Sequence, residues 1–271
     1  MLARAVYLTG FADMLPAMAS IRLVTRADDI GSFSGVLPAS LDAHRRGFIR
    51  NASIIVPSAW FEDCARALRE VPSLCLGVHL TICCEWRHQR WRTVAAPTRV
   101  PSLVDAQGFL HASPITVHDA GIEPDQILRE CQAQLDLARA HGLEIAYADT
   151  HMRWEWLHGP AGRPRMQDLL QDWCRRNGIR WFRSPQLPEL QAAANPRLLL
   201  DQIQAASDGT YLLVTHQTLP GTALRLESQS FPPGTPCVEA ARSAEHALAS
   251  DPGLTAELQR RGVSFLRFDQ L

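Results

Sequence analysis

Apolar residues along this 271-residue chain fall into two alternating patterns. Short runs rich in Val, Ile and Leu read as parallel strands covered on both faces, at residues 21–27, 52–56, 74–80, 143–148, 180–183, 211–215 and 263–268. Between them, apolar side chains recur every three or four positions and predict helices over residues 34–47, 60–69, 123–141, 164–177, 196–206, 238–248 and 255–261. Gly142 and Gly178 sit where two of these helices should stop. From Glu85 to Gly121 the pattern lapses into a Pro-, Trp- and Arg-rich stretch, which predicts a long loop after the third strand. A Pro/Gly-rich loop is expected after His216.

Repeated strand–helix units imply parallel strands joined by right-handed crossovers. About seven units favour an α/β fold that closes, or nearly closes, into a barrel, with chemistry gathered at the carboxyl ends of the strands. No repeat, low-complexity tract or linker divides residues 21–271, so a single barrel domain is expected there. Residues 1–20 read as an N-terminal extension or an early start. Ala17-Met18-Ala19 faintly resembles a signal-peptide end, but Asp13 and Pro16 interrupt an apolar run too short to span a bilayer, and Met18 lies just ahead of the first strand.

Composition narrows the chemistry. All 27 Lys+Arg positions are arginine, against 28 acids, for a formal net charge of −1. Without lysine, Schiff-base, pyridoxal-linking and P-loop chemistry are excluded, and the charge balance argues against a nucleic-acid partner. The seven cysteines are odd in number and form no C-x-x-C pair, which suggests reduced thiols in a cytoplasm. Cys83 and Cys84 follow a histidine motif but have no assigned base, so a nucleophilic role is not favoured.

The candidate chemistry begins at Asp28-Asp29, two acids closing the first strand ahead of Gly31. A solvated turn cap is the bland explanation. In a low-dielectric pocket, however, adjacent carboxylates repel unless a pKa shifts or a cation offsets them. His79 ends the third strand and Asp149-Thr150-His151 ends the fourth. One carboxylate and two imidazoles form a usual facial set for a hydrolytic divalent metal.

With these segments in hand, the chain resembles the YdjC-like carbohydrate deacetylases, a family that includes chitooligosaccharide deacetylases and hopanoid-associated members. The matching segments are Arg26-Ala27-Asp28-Asp29-Ile30-Gly31, Gly77-Val78-His79-Leu80-Thr81, Val100 to Asp105 with Gly108, and Glu130 with Gln134. Asp149-Thr150-His151, Thr215-His216, Pro220-Gly221, Arg242, Glu245, Leu248 and Leu258 to Gly262 continue the pattern. The resemblance implies a distorted TIM-like barrel, one divalent ion and an N-acetylated sugar or glycoconjugate as substrate. Carried over by residue, Asp29, His79 and His151 are the expected metal ligands, Asp28 the general base and His216 the acid for the leaving amine. The roles of Asp28 and Asp29 can be exchanged. Mixed O/N ligands suit Zn or Mg, and also Mn, Co or Ni.

Two departures bear on substrate. Arg153 stands where the family often has a further histidine, and Gln217-Thr218-Leu219 separates His216 from Pro220-Gly221. Arg153, Trp154 and Trp156 suggest an altered substrate subsite, since guanidinium forks bind anions and aromatic faces stack on sugars; helix packing is the alternative for the tryptophans. Arg183 points to the same rim, and the loop from Trp86 to Arg92 either covers substrate or is a solvated loop. Alternatives to the deacetylase are another metal-dependent amidase, deformylase or phosphoesterase on the same scaffold, and a non-catalytic sugar-binding protein. The chain shows no integral membrane segment and leaves room for a homodimer.

Overall fold

A computed structural model describes residues 20–121, 123–158, 165–183, 187–191 and 194–271; the expectation for the N-terminal extension lies outside the described residues. The strands are β1 (Ile21–Ile30), β2 (Asn51–Ile54), β3 (Cys75–Leu80), β4 (Ile145–Thr150), β5 (Arg180–Trp181), β6 (Glu189–Leu190), β7 (Gly209–Thr215) and β8 (Ser264–Leu266). They form one all-parallel sheet in the order β5-β4-β3-β2-β1-β7-β6. β7 takes one edge of β1 from Ile21 to Ala27, so β8 and β2 share the other edge, β8 at Arg22–Val24 and β2 from Arg26 onward.

The sheet curls into an α/β, distorted TIM-like barrel. Closure is incomplete: among the described residues β5 and β6 do not pair, and each is only two residues long. β1 is buried at nine of its ten positions, as expected of a strand covered on both faces. The helices between strands are α1 (Val36–Arg45), α2 (Phe61–Leu68), α4 (Pro124–Ala140), α5 (Met166–Arg176), α6 (Pro196–Ala205), α8 (Val238–Ala249) and α9 (Pro252–Arg260), with the short α3 (Pro114–Asp119) inside the long loop. α4 opens with Pro at its first position, buries Ile127, Cys131, Leu135 and Ala138, and stops at Gly142, whose φ of 78° supplies the left-handed turn. Among the described residues, no helix is long and apolar enough to cross a membrane.

The sequence pattern missed α7 (Thr222–Ser230), which occupies the expected Pro/Gly-rich loop. Its inward face combines Leu224 with the buried carboxylate of Glu227, so no apolar stripe announces it. Glu227 accepts hydrogen bonds from the backbone N–H groups of Arg87, His88 and Gln89, at 2.9, 2.8 and 2.7 Å. Glu130 does the same for Val94 and Ala95, both at 2.9 Å. Trp86 and Trp91 of this loop are buried at 3% and 2% exposure, so its aromatic content is packing rather than an open platform.

The barrel interior is polar where it approaches the rim. Gly77 and Tyr147 are register partners on β3 and β4, and the Tyr147 hydroxyl lies 2.9 Å from Ser53 Oγ on β2. The tyrosine ring crosses directly over the glycine: a Cβ built there would lie 2.2 Å from Cε2 of Tyr147. The Gly77→Ala variant is therefore expected to be destabilised by about 1–3 kcal/mol through overpacking. Urea unfolding measures it, and a midpoint equal to that of the parent chain would contradict the crossing.

Candidate active site and metal centre

Alternate residues of a strand share a face, so Arg26 and Asp28 point the same way from β1. The guanidinium of Arg26 donates to both oxygens of Asp28, at 2.6 and 2.8 Å. By the same rule Asp29 should face away. Instead the pairing of β1 with β2 slips between Ala27 and Ile30, and Asp29 adopts a φ of 64°. This irregularity re-aims the side chain, and both carboxylates line one cavity. A left-handed non-glycine residue costs on the order of 1 kcal/mol, which places local strain at the site.

His79 and Asp149 are register partners on β3 and β4. Asp149 Oδ1 lies 2.8 Å from His79 Nδ1, which leaves Nε2 facing Asp29 Oδ1 at 3.3 Å. Asp149 Oδ2 accepts from Ser53 Oγ at 2.8 Å and contacts Arg26 at 2.9 Å. His151 Nδ1 lies 3.1 Å from the same Asp29 oxygen, while its Nε2 is 2.9 Å from Glu85. Arg242, arriving from α8, donates to the other oxygen of Asp29 at 2.5 Å. The Trp91 ring packs against His151 at 5.6 Å.

Asp29, His79 and His151 are all buried, and each offers one ligand atom within 4.8 Å of the others. Their donor set suits a divalent cation. The imidazole orientation fits as well: Asp149 holds Nδ1–H of His79 and turns Nε2 toward Asp29, where a bound cation would take the place of the second ring proton. The cavity wall supplies the complementary charge: the five carboxylates of Asp28, Asp29, Glu85, Glu189 and Glu245 face the three guanidiniums of Arg26, Arg153 and Arg242. Titration follows the same field. Burial opposes ionisation of Asp29, but Arg242 and then His151 hold it well below the usual carboxylate range. Burial likewise opposes a charged His79, yet Asp149 and Asp28 outweigh it and push its pKa up to about 10. For His151, Glu85 and Asp29 outweigh burial and raise the value to about 9.

The cavity is about 510 Å³ and brings together Asp28, Asp29, His79, His151 and His216, the residues marked out in the sequence. The backbone N–H of His216 donates to Glu245 at 2.5 Å, and its ring Nδ1 is 3.8 Å from the same oxygen. Arg153 also lines the cavity, bonded to Glu189 at 2.5 Å. Trp154 corrects the expectation of a stacking surface: it is fully buried, and its indole N–H donates to the Leu80 carbonyl at 2.9 Å. Arg183 is drawn off the main cavity by Glu155, with Nε 2.7 Å from Glu155 Oε1. Cys83 and Cys84 are buried; burial pushes the Cys83 thiol well up and that of Cys84 to about 12, so neither supplies a thiolate at neutral pH.

Glu85, Asp149 and Arg26 escaped assignment from sequence, although the last two lie inside the quoted motifs. Their signal was the two-residue spacing to Asp28 and to His151. Glu85 begins an aperiodic loop and carried no signal of its own.

This chain has relatives among known proteins and solved structures. A carbohydrate deacetylase of Brevibacillus brevis is 32% identical over 133 residues, covering 48% of this chain and 49% of that protein. A carbohydrate deacetylase of Listeria monocytogenes is 23% identical over 176 residues, covering 64% of this chain and 68% of its own length. The chain thus spans about half the length of the first of these relatives. In fold, the chain is similar to a crystal structure described as a cellobiose-phosphate cleavage protein of Enterococcus faecalis V583, with a TM-score of 0.77 and 17% identity over 93% of this chain and 99% of that one. The model of the YdjC-like protein family matches residues 22–231, and the chain belongs to that family.

Proposed function

We propose that the chain is a divalent-metal-dependent carbohydrate N-deacetylase that hydrolyses the N-acetyl group of an amino sugar or glycoconjugate. The observation that carries this reading is the convergence of Asp29, His79 and His151 on one point, with Asp28 and His216 in the same cavity. The named activity of the relatives supports it. Asp29, His79 and His151 would hold the cation, which when bound would polarise the acyl oxygen and acidify a water. The carboxylate of Asp28, its orientation fixed by both bonds from Arg26, takes the water proton. An amide nitrogen leaves only as a protonated amine, and a ring N–H of His216 supplies that proton. Asp149 holds His79 in its ligand tautomer, and Arg242 holds Asp29.

The protein is expected to release acetate from N-acetylated sugars, to stop on chelation and to recover with added divalent cation; activity that survives exhaustive chelation would refute the metal dependence. Asp149→Asn should weaken divalent-metal binding by about 10–100-fold, because the partner that orients His79 is weakened. Competition against a metal-sensitive dye reads this directly. Asp28→Asn should lower kcat by about 10²–10⁴-fold, with metal affinity retained in the same dye assay. His216→Ala should damage amide hydrolysis far more than hydrolysis of an activated acetyl ester, whose leaving group needs no proton. Equal losses on the two substrates would remove the acid role.

A further inference from the structure

His151 is held at both ring nitrogens, and only one of them faces the proposed metal position. Nδ1 lies 3.1 Å from Asp29 Oδ1, the same oxygen that His79 Nε2 approaches at 3.3 Å. Nε2 meets a different acid, 2.9 Å from Glu85 Oε2. Glu85 stands outside the convergent set of Asp29, His79 and His151. Among the described residues its carboxylate has one hydrogen-bond partner, this imidazole.

An ionised carboxylate can only accept, so the contact with Glu85 requires a proton on Nε2. A metal-bound neutral imidazole keeps one ring proton and gives its other nitrogen to the cation. With Nε2–H committed to Glu85, Nδ1 is the nitrogen left for the cation. A ring turned over would offer carbon to both acids, Cε1 to Glu85 and Cδ2 to Asp29, so only the observed orientation satisfies the two. His79 has the reverse arrangement, with Nδ1 on Asp149 at 2.8 Å and Nε2 toward Asp29. The two rings stand at 69° to one another, centroids 5.3 Å apart, and bring unlike nitrogens to the shared oxygen.

The segment that delivers Glu85 is fixed independently. Glu227 takes up the backbone N–H groups of Arg87, His88 and Gln89. Trp86, next to Glu85, is buried with its ring 5.0 Å from that of Phe33. The Arg242 guanidinium lies 5.5 Å over the Trp86 ring, and Arg242 in turn holds Asp29. Consecutive residues of the rim loop thus support two of the three proposed ligands, Glu85 through His151 and Trp86 through Arg242. Trp91 of the same loop packs on the His151 ring.

We propose that Glu85 is the positioning residue of His151: it holds the proton on Nε2 and thereby assigns Nδ1 as the ligand atom. The centre then uses opposite nitrogens of its two histidines, and its cation affinity depends on the seat of the rim loop. This inference rests on the divalent-metal reading above.

The test loads the full chain with Zn²⁺, which has no unpaired electrons, and reads the ring nitrogens by long-range proton–nitrogen correlation spectroscopy. His151 signals are identified by their absence from His151→Gln. His151 should carry its proton on Nε2 and His79 on Nδ1. A His151 proton on Nδ1 overturns the inference, and this spectrum needs no variant at Glu85. In dye competition, Glu85→Ala should weaken Zn²⁺ binding by about 10–100-fold. Glu85→Gln, whose amide oxygen still accepts from Nε2–H, should lose clearly less. Equal losses in the two variants reduce Glu85 to a nearby charge and overturn its positioning role. A parent chain that binds no Zn²⁺ overturns the inference before any variant is made. Acetate release from N-acetylated sugars, measured on the parent chain, is scored separately. Release together with a Zn²⁺ affinity untouched by Glu85→Ala overturns the role of Glu85 and leaves the deacetylase. The Nε2–H tautomer with a Glu85-dependent affinity, but no acetate release, leaves that role and overturns the deacetylase.

Discussion

Asp149 is a fully buried carboxylate, and the arrangement of the site depends on what surrounds it. Removing an ion from water costs several kcal/mol, and only close counter-charge and hydrogen bonds offset this. Here the offset comes from three different strands: Arg26 on β1, Ser53 on β2 and His79 on β3. Satisfying that one group fixes the lateral positions of four neighbouring strands and the ring orientation of His79. Arg26 then passes the constraint on by holding Asp28 through two bonds. A network that makes a buried charge tolerable is thus also the network that aims the proposed base and one proposed ligand.

The rim loop is held by the same kind of interaction. Two carboxylates from helices, Glu227 and Glu130, accept five backbone N–H groups between Arg87 and Ala95. Backbone donors in an irregular segment need partners as much as those in a strand do. Meeting that need from α7 and α4 brings Glu85 to His151 and lays Trp91 against its ring. The loop is long because it must reach the site, and it is ordered because buried acids take up its backbone.

Most strands and helices were legible in the sequence, since parallel strands and amphipathic helices leave different apolar periods. α7 was not, because its buried face includes a glutamate whose partner lies some 140 residues away, as the 140-residue separation of Glu227 and Arg87 shows. The strand-end residues His79, His151 and His216 were legible as a set, because a parallel barrel brings all strand carboxyl ends to one rim. Trp154 was misread for a general reason: the side on which an aromatic residue falls after a strand depends on the turn, and the left-handed Met152-Arg153 step was not encoded in any local pattern.

By itself the sequence determined the α/β order, the lack of lysine chemistry and the residue types from which a metal site can be made. These follow from local periodicity and composition, which need no knowledge of the third dimension. The tertiary structure decided which way those residues face and what they touch. A slip in strand pairing turned Asp29 toward the side Asp28 already faced, and Arg242, 213 residues away along the chain, came to pair with it. The same folding paired the cavity's guanidiniums, Arg26, Arg153 and Arg242, with Asp28, Glu189 and Asp29. Such pairings are set by which distant groups must share one buried, low-dielectric space, and no one-dimensional pattern records that.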